Sequence, residues 1–133
     1  MATIKHISVA VINPKLVAEN LAALTGGTSR PFSPLDGAYV CMWDNSWDGR
    51  YIEFYPSDCT ISYKENGPGF SKVGEGVIYI NATHVNLSAE KSLDEIIKIA
   101  DQLKLKHRPR NEKNTYDIWL EEQFLVEISL EPG

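Results

Sequence analysis

Apolar and polar residues alternate with period two in several short runs of this chain, which is typical of strands that bury one face. The first run extends from Ile4 to Ile12 and stops at Asn13-Pro14. Because Asn is favoured as a helix N-cap and Pro at the first helical position, we expect a helix to begin there and to end at Gly26-Gly27. Its predicted buried stripe comprises Leu16, Val17, Leu21 and Leu24.

Three further strand-like runs follow this helix, so the first part of the chain has the order βαβββ. The segment 30–34 contains two prolines, which is typical of an edge strand. The segments 38–43 and 51–55 flank Asp48-Gly49, and an Asp-Gly pair is typical of a hairpin turn. We therefore expect residues 1–56 to form one βαβββ module.

The same order of elements recurs in the second half of the chain. A strand near 77–80 leads to a strand-like run that contains His84, and Ser92 with Glu95 forms a capping box at the start of a second helix. The apolar face of this helix comprises Leu93, Ile96, Ile97, Ala100 and Leu103. The remaining strand-like runs are 106–110, 116–121 and 124–130.

Between these repeats lies the segment 57–76, which is rich in Gly, Pro, Ser and Asp and is interpreted as a linker. The second module is then 77–133. The sequence thus predicts a single α+β domain, 1–133, in which two tandem βαβββ modules form a curved sheet cleft.

Composition and charge exclude several kinds of partner. The net charge of −5 provides no basic field for a nucleic acid backbone. No apolar run approaches the roughly 20 residues that a membrane helix needs, and the first residues lack the apolar core of a signal peptide.

The spacing of Cys41 and Cys59 matches no zinc or redox motif. We expect a cytoplasmic protein with reduced thiols, and a disulfide is the less favoured alternative.

Each half places one histidine and one glutamate at matching positions. The offset from His6 to His84 is 84 − 6 = 78, and the same offset relates Arg30-Pro31 to Arg108-Pro109. Glu53 and Glu127 each lie at the centre of the last strand of their module. Strand alternation places all four on the face that points away from the helices.

Two imidazoles and two carboxylates on one concave face suit a divalent metal such as nickel, zinc, cobalt or iron. A lone His or Glu on a strand is more often an ordinary solvated or partly buried residue, so the metal hypothesis depends on the joint pattern. His107 has no counterpart in the first half, and we expect it to be a surface residue.

This constellation resembles the vicinal oxygen chelate superfamily, which includes glyoxalases, bleomycin-resistance proteins and extradiol dioxygenases. The segments that resemble the family's four metal-ligand strands are Ile4-Lys5-His6-Ile7-Ser8-Val9, Tyr51-Ile52-Glu53-Phe54-Tyr55-Pro56, Thr83-His84-Val85 and Leu125-Val126-Glu127-Ile128. The ligand pattern is most similar to that of glyoxalase I-like proteins, in which the family uses His or Gln, Glu, His and Glu.

The resemblance implies that His6, Glu53, His84 and Glu127 bind a divalent metal and that Glu53 or Glu127 acts as the general base. It implies a lyase or isomerase that acts on a small substrate with vicinal oxygens through an enediolate or enolate. It also implies a homodimer. Glutathione use is not implied, because the family's Asp-Pro-Asp-Gly turn is replaced by Glu121-Glu122-Gln123-Phe124.

Two other classes remain open at this stage. The first is a metal-free protein that sequesters a small molecule, as bleomycin-resistance relatives do, and the second is a regulatory protein that keeps the ligand set as a relic. Aromatic side chains that could line a pocket are Trp43, Trp47, Tyr51, Tyr55 and Trp119, although core or hairpin packing would explain any one of them. Arg30, Arg108 and Arg110 could hold a substrate carboxylate or simply protect sheet edges.

Overall fold

The structure, a computed structural model, describes residues 4–64, 67–72, 83–110, 115–121 and 124–130. In chain order the elements are β1 (His6–Val11), α1 (Pro14–Thr25), β2 (Thr28–Pro31), β3 (Tyr39–Met42), β4 (Tyr51–Pro56), β5 (Cys59–Lys64), β6 (Gly67–Lys72), β7 (His84–Ser88), α2 (Leu93–Gln102), β8 (Lys106–Pro109), β9 (Thr115–Leu120) and β10 (Phe124–Ser129). The strand predicted near 77–80 lies outside the described residues.

Two mixed four-stranded sheets carry the fold, with the orders β1-β4-β3-β2 and β7-β10-β9-β8. In each sheet the first strand of the module pairs in parallel with its last strand, and the other pairings are antiparallel. The predicted α+β architecture of two tandem βαβββ modules is confirmed.

The repeat extends to the register of the strands. In the first sheet His6 is opposite Tyr51, and Ser8 is opposite Glu53. In the second sheet His84 is opposite Leu125, and Asn86 is opposite Glu127. Each histidine therefore lies two residues before the position that faces the glutamate, so the two His–Glu pairs have the same placement on their sheets.

The segment between the modules contains regular structure. Strands β5 and β6 pair antiparallel as a separate two-stranded sheet. Gly67, Pro68 and Gly69, which belong to the segment predicted to be a linker, lie in β6. Backbone hydrogen bonds between the two strands hold the hairpin together, and residue composition alone does not predict such pairing reliably.

Local sequence signals set the helix ends as expected. The Asn13 side chain accepts a hydrogen bond from the Leu16 N–H, and Gly26 ends α1 in the left-handed conformation. The Ser92 side chain accepts a hydrogen bond from the Glu95 N–H at the start of α2.

The prediction that Leu16 is buried is wrong, since it is 48% exposed. It is adjacent to the buried Val17, and a step of about 100° around the helix carries it off the stripe.

Both modules contribute to one hydrophobic core. The buried cluster combines residues of α1 and α2 with the helix-facing residues of both sheets, and the rings of Phe54 and Phe124 meet with centroids 5.9 Å apart. The Glu121 carboxylate also accepts hydrogen bonds from the N–H groups of Ile12 (2.8 Å) and Asn13 (2.6 Å). The modules thus pack through their helix-bearing faces. Neither helix among the described residues has the length and apolar character to cross a membrane.

Candidate metal centre

The first candidate half-site consists of His6 and Glu53. His6 Nε2 lies 3.8 Å from Glu53 Oε1, and the Glu53 side chain is only 5% exposed. The other carboxylate oxygen, Oε2, accepts hydrogen bonds from Ser8 Oγ (2.7 Å) and from the Tyr55 hydroxyl (2.8 Å). Strand geometry explains both donors, because Ser8 is the register partner of Glu53 and Tyr55 follows it by two residues on the same face.

Two tyrosines of β4 fix this half-site in place. The Tyr51 ring stacks on the His6 imidazole with centroids 4.8 Å apart and an angle of 12° between the planes. Burial, together with the hydrogen bond to Glu53, raises the pKa of Tyr55 to about 12. The Tyr55 hydroxyl therefore keeps its proton at neutral pH and remains a donor to the carboxylate.

The second candidate half-site consists of His84 and Glu127. His84 Nε2 lies 3.4 Å from Glu127 Oε1. Arg110 Nη1 donates a hydrogen bond to Glu127 Oε2, so this carboxylate also turns Oε1 towards its histidine. The two half-sites thus share one plan, although Ser8 and Tyr55 hold the first carboxylate and an arginine holds the second.

Arg110 also pairs with Asp117, a buried carboxylate on β9. Arg110 Nε donates to Asp117 Oδ2 at 3.2 Å, and Nη2 lies 2.8 Å from Oδ1 as an ion pair without hydrogen-bond alignment. The hydrogen bond to Asp117 raises the pKa of Arg110. Sequence reasoning missed Asp117, and an acidic residue within the apolar run 116–120 was the available signal.

The donor set of each half-site fits two ligands of one divalent metal. Two donors that lie about 2.0–2.1 Å from a tetrahedral zinc are separated by roughly 3.3–3.4 Å, and the observed separations of 3.4 and 3.8 Å are close to this value. In both half-sites the second carboxylate oxygen is held by other side chains, as in metal sites whose outer partners orient the ligands.

The structure brings together His6 with Glu53 and His84 with Glu127, but not all four. Within the described part of the chain, no three His, Cys, Asp or Glu residues come close enough to hold a metal. Each pair lies on its own sheet, on the face opposite the strand residues that contribute to the shared core.

The prediction that His107 is a surface residue is wrong. Its side chain is 16% exposed, with Nε2 at 2.6 Å from Asp101 Oδ1 and Nδ1 at 2.6 Å from the Tyr116 hydroxyl. Its register partner on β9 is the buried Ile118, so it faces α2 rather than solvent. His107 thus links α2 to the second sheet.

Some of the other predicted site residues form structural hydrogen bonds, and others line a cavity. Trp43 donates its indole N–H to Thr25 Oγ1 at 2.8 Å, and Arg30 donates a hydrogen bond to Asn45. A cavity of about 550 Å³ borders the first half-site, and its lining includes His6, Tyr51 and Trp43 together with residues of β7. Its volume is within the range of small-molecule pockets.

No family model and no curated protein sequence matches the chain. Several solved structures match over nearly its whole length. A possible glyoxalase from Bacillus cereus is 19% identical, with 97% of this chain and 99% of the other covered and a TM-score of 0.59. The fosfomycin resistance protein FosX from Listeria monocytogenes, in complex with Mn(II) and sulfate, is 12% identical, with coverages of 99% and 92% and a TM-score of 0.65.

A further match comes from a protein of a different origin. An integron cassette protein from V. cholerae is 10% identical, with coverages of 99% and 97% and a TM-score of 0.62. At these identities the comparisons establish the fold. The glyoxalase-like and FosX proteins belong to the vicinal oxygen chelate superfamily, and this chain has the vicinal oxygen chelate fold.

Proposed function

We propose that the protein is a divalent-metal-dependent, glyoxalase-like lyase or isomerase that acts on a small substrate with vicinal oxygens. His6, Glu53, His84 and Glu127 are the proposed ligands. The observation that carries this proposal is the repeated His–Glu pair, which has the same register on both sheets and the same orientation of Oε1 towards the imidazole. Unrelated surface residues would have no reason to share both properties.

The proposed site forms between two copies of the chain. Within one chain the two pairs do not come together, and in the proposed dimer a second copy brings its His84–Glu127 pair to the His6–Glu53 pair of the first. A two-fold dimer makes this exchange reciprocal and creates two equal four-ligand sites.

A divalent metal bound there supplies a Lewis acid for two adjacent substrate oxygens. Glu53 is the better candidate for the general base, because only the neutral hydroxyls of Ser8 and Tyr55 hold its carboxylate. Glu127 is better suited to remain a ligand, since moving it would break its ion pair with the partly buried Arg110.

Two of the similar structures support the choice of a metal-dependent function. FosX from Listeria monocytogenes was solved with Mn(II), and a glutamate-to-glutamine variant of the same protein was solved with Mn(II) and 1S,2S-dihydroxypropylphosphonic acid. A divalent metal and a ligand with adjacent oxygens therefore occur on this fold. For the present chain we include manganese among the metals to be tested, beside nickel, zinc, cobalt and iron.

Calorimetric titration of metal-stripped protein with each of these metals tests the proposal. We expect one metal per chain in the wild type and no tight binding in either His6→Ala or His84→Ala, because each variant removes one ligand from every site. His107→Ala is the matched control, since this histidine faces α2 and should leave metal binding intact. Tight binding that survives in both ligand variants would refute the four-ligand site.

The competing function is metal-free sequestration of a small molecule. The cavity of about 550 Å³ beside His6 and Tyr51 favours it, because such a cavity could hold a ligand without a metal. Wild-type protein that binds no metal but binds small molecules in a ligand screen would replace the enzyme proposal with this one.

A further inference from the structure

The first half-site is bordered by an unbroken arc of aromatic rings. From the Tyr51 ring, which stacks on His6, the arc continues to Trp47 (centroids 5.4 Å apart) and then to Phe32 (6.0 Å). Phe32 contacts Tyr55 (5.9 Å), and Tyr55 contacts Phe70 of the β5–β6 hairpin (5.5 Å). Tyr51 and Tyr55 flank Glu53 in β4, so both rings lie on the face of the sheet that carries the carboxylate and His6.

The fold itself does not require these rings. The second sheet has the same strand order and register, but it places Leu125 where the first has Tyr51 and Ser129 where the first has Tyr55. The residue offset of 78 relates Phe32 to Arg110, which belongs to the ion pairs around Glu127. At the described positions that correspond to Tyr51, Tyr55 and Phe32, the second module thus has no aromatic ring.

One ring within the arc, that of Trp47, is accessible. Trp47 is 47% exposed. Its loop is held by the Asp44 carboxylate, which accepts hydrogen bonds from the Arg50 backbone N–H (2.8 Å), Nε (2.9 Å) and Nη2 (2.9 Å). An exposed indole on a loop whose two ends are joined by hydrogen bonds is a partly pre-organised apolar contact surface.

The protein surface expected opposite the arc combines charged and apolar groups. In the proposed dimeric site, the partner's second module faces this half-site, and the outer face of that module carries Arg110, Asp117 and Glu127 beside the register partners Leu125 and Trp119. The charged groups around Glu127 do not complement the rings that flank Glu53. We therefore expect the ligand to supply the apolar partner of the arc next to the two carboxylates.

We propose that the vicinal-oxygen substrate carries an aromatic ring next to its metal-binding oxygens and that Trp47 and Tyr51 contact this ring. The inference rests on the proposed function and specifies its substrate class. A flat ring offers the stacking and edge contacts that aromatic side chains prefer, which a small aliphatic substrate lacks.

Benzohydroxamate and acetohydroxamate form a matched pair of probes, because both bind metals through two adjacent oxygens and only the first has a ring. Metal-loaded dimer should bind benzohydroxamate more tightly. Trp47→Ala should reduce the ratio of the two affinities about tenfold, a loss of about 1.4 kcal/mol. Trp47→Phe should restore most of it, and His107→Ala, which removes a side chain that faces α2, should leave it unchanged.

Three other results have distinct meanings. Equal affinity for both probes in metal-loaded protein would overturn the ring preference but not the metal site. A Trp47→Ala variant that changes only the dimer dissociation constant would have the same meaning. If the wild type binds no metal, the proposed metal-dependent function is refuted. Tryptophan fluorescence of metal-free protein then tests whether the arc binds an aromatic ring. Quenching by benzohydroxamate that requires Trp47 supports the arc as a ring-binding surface, and no quenching overturns it.

Discussion

Two variants that each lose metal binding should regain part of it when they form mixed dimers. His6→Ala removes a ligand from the first half-site, and His84→Ala removes one from the second. If each site joins the first module of one chain to the second module of its partner, a mixed dimer contains one site with both substitutions and one with neither. The intact site combines His6 and Glu53 of one chain with His84 and Glu127 of the other.

The size of the recovery follows from the symmetry of the dimer. Random pairing of equal amounts yields about one half mixed dimers, and each has one intact site of two. The mixture should therefore bind about one quarter of the metal that wild-type protein binds. Each variant alone should bind none tightly, since every site of its dimer lacks one ligand.

The assay is metal stoichiometry after joint unfolding in urea, refolding and removal of loose metal. Each variant refolded alone is the control for recovery that does not depend on mixing. A mixture that binds no more metal than the separate variants would refute the shared site, because a site built within one chain cannot be repaired by a partner.

Three further outcomes are expected. Ser8→Ala should weaken metal affinity about 10- to 100-fold in calorimetric titration, because Ser8 orients Glu53; unchanged affinity would contradict this role. His107→Ala should lower the free energy of unfolding by about 1–3 kcal/mol in urea titration, because Asp101 and Tyr116 lose their shared partner, whereas metal binding should persist. Burial raises the pKa of the Cys41 thiol from 9.0 to about 12, and a hydrogen bond with Thr25 opposes part of this rise. As the pH rises, the thiol therefore loses its proton in the unfolded chain before it does so in the folded protein. Stability should therefore fall between pH 9 and about 12, and Cys41→Ala should reduce the slope of unfolding free energy against pH.

Local signals were sufficient to predict most of the architecture. The caps at Asn13 and Ser92 lie where the sequence places them. Alternation in β10 correctly separates the buried Val126 and Ile128 from Glu127. Leu16 shows the limit of such patterns, because an apolar residue beside a buried stripe can still lie in solvent.

The candidate site was predictable only in part, because its geometry depends on residues that are distant in sequence. The pattern identified both His–Glu pairs and their face, but the orientation of the carboxylates depends on Ser8 and Arg110, which reach them across neighbouring strands. Whether the pairs meet depends on packing between modules and between chains. No local periodicity reports this packing.

The hydrogen bonds from Ile12 and Asn13 to Glu121 have a consequence for folding. A side chain of the second module holds the backbone immediately before α1, so the first helix receives part of its N-terminal stabilisation from the other half of the chain. Together with the common core, this contact makes the halves interdependent despite their repeated plan. The chain should unfold in a single cooperative transition, and its first 56 residues alone should not retain a stable α1.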